Sequence, residues 1–313
     1  MLKEHALTEQ KVLVSKEKGN VATGWHFKRF QTIIIKDLKM EQGHSNLWAK
    51  SYINDGYLML PDLVTPEECN DLKTEMLKIF RGDYPCGAIP PMPETANETE
   101  VLDRIMCVGE PHVFSPLVRR YIEHPKICEV LRKIVGAHIP FWDGGVKCMQ
   151  SMMLSKVPGH TGNPWHQDEH PIPTRDRSLI GVWITLDDAT IENGCLWVLP
   201  NSHRSGVIYD RVPHNKRDEF DSCQEAVGFD DTDEIPIEMS AGSVLFFNGY
   251  LLHRSKKNRS DTFRRIFVSH YCSTASWLGW KGQRNYRGII TVAGEDPYID
   301  EGHVTPNVWA RWE

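Results

Sequence analysis

Leu179-Ile180-Gly181-Val182-Trp183-Ile184-Thr185-Leu186, then Asp187-Asp188-Ala189-Thr190-Ile191-Glu192-Asn193-Gly194, then Cys195-Leu196-Trp197-Val198-Leu199: an apolar run, a polar break and a second apolar run, each of strand length. Short apolar runs bounded by turn residues read as buried strands. Asn193-Gly194 tolerates positive φ at both positions, which predicts a tight hairpin between the two runs. Met149–Val157, Ser243–Phe247 and Phe263–Tyr271 repeat the strand pattern. The half before Val146 reads differently. Thr65 is the predicted N-cap of a helix, with Pro66 at its first position and Glu68 completing a capping box. Leu72, Met76, Leu77 and Ile79-Phe80 then recur at helical spacing until Gly82. Residues 81–98 are broken by Pro85, Pro90, Pro91 and Pro93 and predict a loop. A second helical region runs from Ser115-Pro116 to Val135, split by Pro125 and ended by Gly136. Helices first and many short strands afterwards predict an α+β chain whose core is a β-sandwich or barrel flanked by N-terminal helices.

The chain has 313 residues, 40% of them hydrophobic, enough for a sizeable core. The expected organisation is an N-terminal extension over 1–45, one domain over 46–285, and a C-terminal segment over 286–313. The β core spans about 146–272, with a polar insertion at 206–240 that carries Asp230-Asp231-Thr232-Asp233-Glu234. That insertion reads as a surface excursion, either a lid or a solvated loop. No apolar run is long enough to span a bilayer. Met1–Gln10 lacks a secretory core, and the last residues carry no organelle address. A net charge of −6 disfavours nucleic acid and anionic membranes. The eight cysteines form no Cys-x-x-Cys pair and read as reduced thiols, which implies a cytoplasmic protein. Oligomeric state is not legible.

The chemistry concentrates in Asn163-Pro164-Trp165-His166-Gln167-Asp168-Glu169-His170. His166 and Asp168 are two apart, so on a strand both leave the same face. Imidazole and carboxylate side by side make two neighbouring positions of a metal shell, and a distant second His would complete a two-His-one-carboxylate triad. With 14 His and 42 acidic residues, about two His-x-acid matches are expected by chance, so the motif needs its context. Downstream, Val244 to Leu252 is a buried-type run ending in His253. His270 is the rival second histidine, because it shares the strand parity of Arg264. Arg264 also shares a face with Ile266 and Val268, and a guanidinium there costs several kcal/mol without an anionic partner. A bound carboxylate would fit its fork. Lys156, at a strand end, could meet an anionic substrate, but a snorkelling surface lysine is the default reading. His203 reads as a turn residue bonding backbone.

The set His166-Gln167-Asp168, Gly181-Val182-Trp183 through Glu192-Asn193-Gly194-Cys195-Leu196, Leu199-Pro200-Asn201-Ser202-His203, and His253 with Arg264 eleven residues later resembles the phytanoyl-CoA dioxygenase family of Fe(II)- and 2-oxoglutarate-dependent oxygenases. The likeness covers Tyr52 to Trp280 and is strongest from Met149 to Tyr271. It implies a double-stranded β-helix (jelly-roll, cupin-like) core, with His166, Asp168 and His253 as iron ligands. It makes Arg264 the partner of the far carboxylate of 2-oxoglutarate, with Ser255 beside it. Trp183 and Gln150 match positions lining the cosubstrate site, and Arg104 falls where relatives place a basic residue near it. Asn201 stands where the family commonly has Gly, in a turn Asn can make. Relatives that halogenate carry a small residue at the position of Asp168, so hydroxylation is the expected outcome here.

The activity implied is hydroxylation of a C–H bond in a small or medium organic substrate, consuming 2-oxoglutarate and O2 and releasing succinate and CO2. Two alternatives come from other classes: a non-catalytic jelly-roll module binding metal or a small acid, and a metal-dependent hydrolase or isomerase on the same ligands. The substrate itself is not legible.

Overall fold

The computed structural model describes residues 47–278, 288–298 and, for the backbone alone, 44–46 and 309–312. All but the last two residues of the expected 1–45 extension, and the expected domain boundary at 285, lie outside the described residues. Five α-helices are found among them: α1 (His44–Asp55), α2 (Pro66–Arg81), α3 (Glu98–Asp103), α4 (Pro116–Ile122) and α5 (Pro125–Ile134). The strands are β1 (Tyr57–Leu60), β2 (Ile105–Gly109), β3 (Val146–Lys156), β4 (Asn163–His166), β5 (Ile180–Thr185), β6 (Leu196–Val198) and β7 (Arg211–Val212). They continue with β8 (Glu225–Ala226), β9 (Ile235–Ile237), β10 (Val244–Asn248), β11 (His253–Ser255), β12 (Arg264–Ser273), β13 (Ile290–Ala293) and β14 (Trp309–Trp312).

The helix signals act where the sequence puts them. Thr65 accepts from Glu68 N while the Glu68 carboxylate accepts from Thr65 N, so two orphan donors of α2 are satisfied reciprocally. Gly82 ends α2 at φ 86°, the left-handed conformation glycine adopts without strain. Leu72, Met76, Ile79 and Phe80 of α2 are buried. At about 1.5–3 kcal/mol per buried side chain, that packing rather than helix propensity holds α2 to the sheet. Pro125 opens α5 and Ser115 caps α4, as the split second helical region predicts.

Two antiparallel sheets make a double-stranded β-helix core. The larger runs β1-β10-β5-β12-β3-β2-β14, with β13 also paired to β3, and the smaller runs β4-β11-β6-β9. Alternation divides the residues of the larger sheet between two cores. Val182, Ile184, Phe246 and Phe267 pack with the helices. Trp183, Leu245, Phe247, Ile266 and Val268 pack with Leu196 and Val198 of the smaller sheet. Because β5 is covered on both faces it reads as a continuous apolar run.

The predicted hairpin at Asn193-Gly194 does not form. β5 lies between β10 and β12, whereas β6 lies between β11 and β9 in the other sheet. The turn is a crossover between sheets, closed on itself by Asn193, whose Oδ1 accepts from Thr190 N and whose Nδ2 donates to Asp188 O. Gly194 does take positive φ (80°), but for a further reason: a Cβ there would come within 2.2 Å of Lys256 O. A local turn signal reports backbone conformation and not which strand is the partner. All five α-helices precede Val146, as the sequence predicts, but two strands do as well: β1 pairs with β10 and β2 with β3.

Candidate metal centre

β4 and β11 are neighbours, and their register sets His166 directly opposite His253. The two rings lie 4.0 Å apart between centroids. His166 Nδ1 is 2.8 Å from Pro164 O, and His253 Nδ1 is 2.9 Å from Leu251 O. A carbonyl only accepts, so each Nδ1 carries the proton and each Nε2 presents a lone pair. Both Nε2 atoms face Asp168 Oδ1, at 3.7 Å and 3.6 Å. One ligand atom from each of the three residues falls within a 4.8 Å set. Two imidazole nitrogens and one carboxylate oxygen, fixed in tautomer by backbone acceptors, suit a divalent first-row metal.

The electrostatics agree with that donor set. Burial, aided by the neighbouring His253, pushes His166 down to about 3, so its ring is neutral at physiological pH. Burial opposes ionisation of Asp168, but His253 and His270 outweigh it and hold the carboxyl below its ordinary range. His270 does not join the two histidines around Oδ1. Its Nε2 lies 3.0 Å from Asp168 Oδ2 instead.

The triad opens into a cleft of about 90 Å³ whose lining includes Asn163, Trp183, Phe247, Ser255, Arg264 and Ile266. Arg264 is buried, and its guanidinium lies 5.5 Å from the Trp183 ring centroid. Among the described residues no carboxylate or carbonyl is hydrogen-bonded to it, and burial pushes its pKa down to about 10. By contrast Arg265, on the opposite face, is paired with Asp187 and Glu98. The guanidinium in the cleft is therefore the one whose partner must come from elsewhere.

Lys156 corrects the reading of a surface lysine. It is buried, and it stands opposite Arg264 in the β3–β12 ladder. Its Nζ donates to Ser255 Oγ (3.0 Å), Lys256 O (2.5 Å) and Gly194 O (3.4 Å), which accounts for three ammonium protons. Burial, then Arg264, push its pKa down. Ser255 Oγ also accepts from Asn163 N at 3.2 Å. With both lone pairs engaged, the Ser255 hydroxyl has its proton left to donate into the cleft.

Gln150 sits on β3 opposite His270, on the face shared with Met152 and Leu154 of the cleft wall. Arg104 stands at the end of α3 and donates to Pro90 O at 2.7 Å; it is not among the cleft-lining residues. Sequence reasoning set Lys156 aside as a surface residue and missed Asn163 and Phe247. The parity of Lys156 with Gln150 on one strand was an available signal for the first. His203 bonds Ile53 O, as a turn residue should.

The acidic stretch of the insertion is anchored to the strands beneath it. Trp165 Nε1 donates to Asp231 Oδ2 at 2.9 Å, and Arg254, stacked 4.6 Å over Trp165, pairs with Asp231 and Glu234. Trp165 precedes His166 and Arg254 follows His253, so the insertion grips the outer face of the two strands whose inner face carries the histidines.

The profile of the phytanoyl-CoA dioxygenase (PhyH) family matches residues 52–266. The chain belongs to that family. A phytanoyl-CoA dioxygenase domain-containing protein 1 of Danio rerio is 25% identical over 266 residues, 71% of this chain and 88% of that protein. A phytanoyl-CoA dioxygenase of Arabidopsis thaliana is 37% identical over 123 residues, 39% of this chain and 43% of that protein. Among solved structures, the epimerase SnoN in complex with Fe3+, alpha ketoglutarate and nogalamycin RO aligns with a TM-score of 0.60 at 16% identity, over 86% of this chain and 99% of that one. These likenesses support the jelly-roll fold. No described helix is long and apolar enough to cross a membrane.

Proposed function

We propose that this protein is an Fe(II)- and 2-oxoglutarate-dependent dioxygenase that hydroxylates a C–H bond of a small or medium organic molecule. The observation that carries the reading is a buried guanidinium without an anionic partner in the same cleft as a two-His-one-carboxylate cluster. A 2-oxo dicarboxylate meets both needs: one end chelates a metal and the other neutralises Arg264.

In this reading His166, Asp168 and His253 hold the iron. Iron, 2-oxoglutarate and O2 together supply the oxidising power for C–H hydroxylation, with release of succinate and CO2. Arg264 forks the far carboxylate, Ser255 donates its remaining proton to the same group, and Lys156 orients Ser255. Trp183 and Phe247 flank the cosubstrate and exclude water, while Gln150 and Arg104 stand further out. No side chain is required as a strong general base. We read residues 46–285 as the catalytic domain. The eight unpaired cysteines fit a reducing, cytoplasmic setting.

The test is succinate formation from 2-oxoglutarate under air with candidate substrates. Production that needs added Fe(II) and disappears in His166→Ala supports the reading. Product formed from a substrate without 2-oxoglutarate would favour the hydrolase or isomerase alternative.

A further inference from the structure

Asp168 has two oxygens in unlike surroundings. Oδ1 faces His166 Nε2 and His253 Nε2. Oδ2 lies 3.0 Å from His270 Nε2, and the two residues come from different segments of the fold, 102 positions apart. A carboxylate oxygen only accepts, so His270 donates from Nε2. His270 is buried on β12, and its Nδ1 has no hydrogen-bond partner. Its one polar contact is thus spent on Asp168. It lines the same cleft as Arg264, on the same face of the same strand.

We propose that His270 is a positioning residue that engages Asp168 Oδ2 so that a bound metal takes Oδ1 alone. The consequence is a matter of counting. A six-coordinate metal with three protein atoms keeps three positions open, two for a chelating 2-oxo acid and one for dioxygen. A carboxylate that swung to bind through both oxygens would occupy a fourth position and compete with the chelate. His270 prevents that swing. The inference rests on the metal assignment above but concerns a residue outside the triad. It also explains why a histidine with the right strand parity to be a ligand is not one.

The test compares wild type, His270→Leu and His270→Gln, each loaded with Co(II). The readouts are metal affinity by chelator competition, the Co(II) visible spectrum, and anaerobic affinity for 2-oxoglutarate. Loss of an outer partner of a ligand costs about ten- to a hundredfold in metal affinity. His270→Leu is expected to show that loss, together with an altered visible spectrum and weakened 2-oxoglutarate binding. The amide of His270→Gln can still donate to Oδ2 and should recover most of both affinities. If His270→Leu does not fold, His270→Asn, too short to reach Oδ2, takes its place. Wild-type metal affinity, spectrum and 2-oxoglutarate affinity in a folded variant lacking the donor would overturn the inference while leaving the metal assignment intact. Failure of the wild-type protein to bind Co(II) any better than His166→Ala would remove the metal assignment itself.

Discussion

Lys156 Nζ lies 3.0 Å from Ser255 Oγ, and that hydroxyl takes a second hydrogen bond from Asn163 N. The buried ammonium therefore acts on the cleft through a serine whose only free capacity is to donate. Replacing Lys156 by Met lets the hydroxyl turn inward and removes a positive charge beside Arg264. The expected result is a loss of about tenfold in 2-oxoglutarate affinity, or about 1.4 kcal/mol, with metal affinity unchanged. Calorimetric titration of the metal-loaded, anaerobic protein reads it, and an unaltered affinity would show that Lys156 serves the fold alone.

Arg264 gives a prediction of opposite sign for the ligand-free protein. A buried, unpaired guanidinium is a cost until an anion arrives. Arg264→Met should therefore melt no lower than wild type in the absence of ligand. Wild type should gain up to about 2.7 kcal/mol at a ligand concentration a hundred times Kd, and the variant should gain almost nothing. Thermal melts with and without 2-oxoglutarate decide it.

The insertion makes a third case. Asp231→Ala removes the acceptor for Trp165 Nε1 and a partner of Arg254. The loss of one hydrogen bond to a charged group predicts a cost of about 1.5–3 kcal/mol. Faster amide exchange through 225–237 and weaker metal binding should accompany it. Wild-type exchange in that segment would show that the grip on Trp165 is incidental.

Glu169 sets a pH dependence. Burial pushes its carboxyl up to about 7 from an ordinary 4.5, against the lowering effect of the hydrogen bonds from Thr174. The folded state therefore holds a proton that the unfolded chain releases between these values. Its contribution is complete below pH 4.5 and is lost as pH rises through 7, a change of roughly 3 kcal/mol. Glu169→Gln has no proton to lose. The stability gap between variant and wild type should be small at pH 5 and should widen in favour of the variant by pH 8, as read by urea denaturation at both values.

Much of the site was legible because it depends on strand parity and spacing. Arg264 on the face of Ile266 needed no knowledge of the fold, and the two-residue spacing marked His166 and Asp168, although β4 ends at His166 and Asp168 lies in the turn after it rather than on a shared strand face. The capping box at Thr65 was legible because both halves of it lie within four residues. The partner of β5 was not, since pairing across a jelly roll is set by contacts between segments about 60 to 90 residues apart. Lys156 failed for a related reason: its acceptors, Ser255, Lys256 and Gly194, are brought to it only by the second sheet. β1 and β2 are too short to outweigh the helical patterns beside them.

The most direct measurement is anaerobic titration of the Fe(II)-loaded protein with 2-oxoglutarate, followed by visible absorption. Wild type should show a charge-transfer band that saturates with 2-oxoglutarate. The band should be missing in His166→Ala and should need far higher 2-oxoglutarate in Arg264→Met. Bound iron with no such band at any 2-oxoglutarate concentration would contradict 2-oxoglutarate binding at this metal centre.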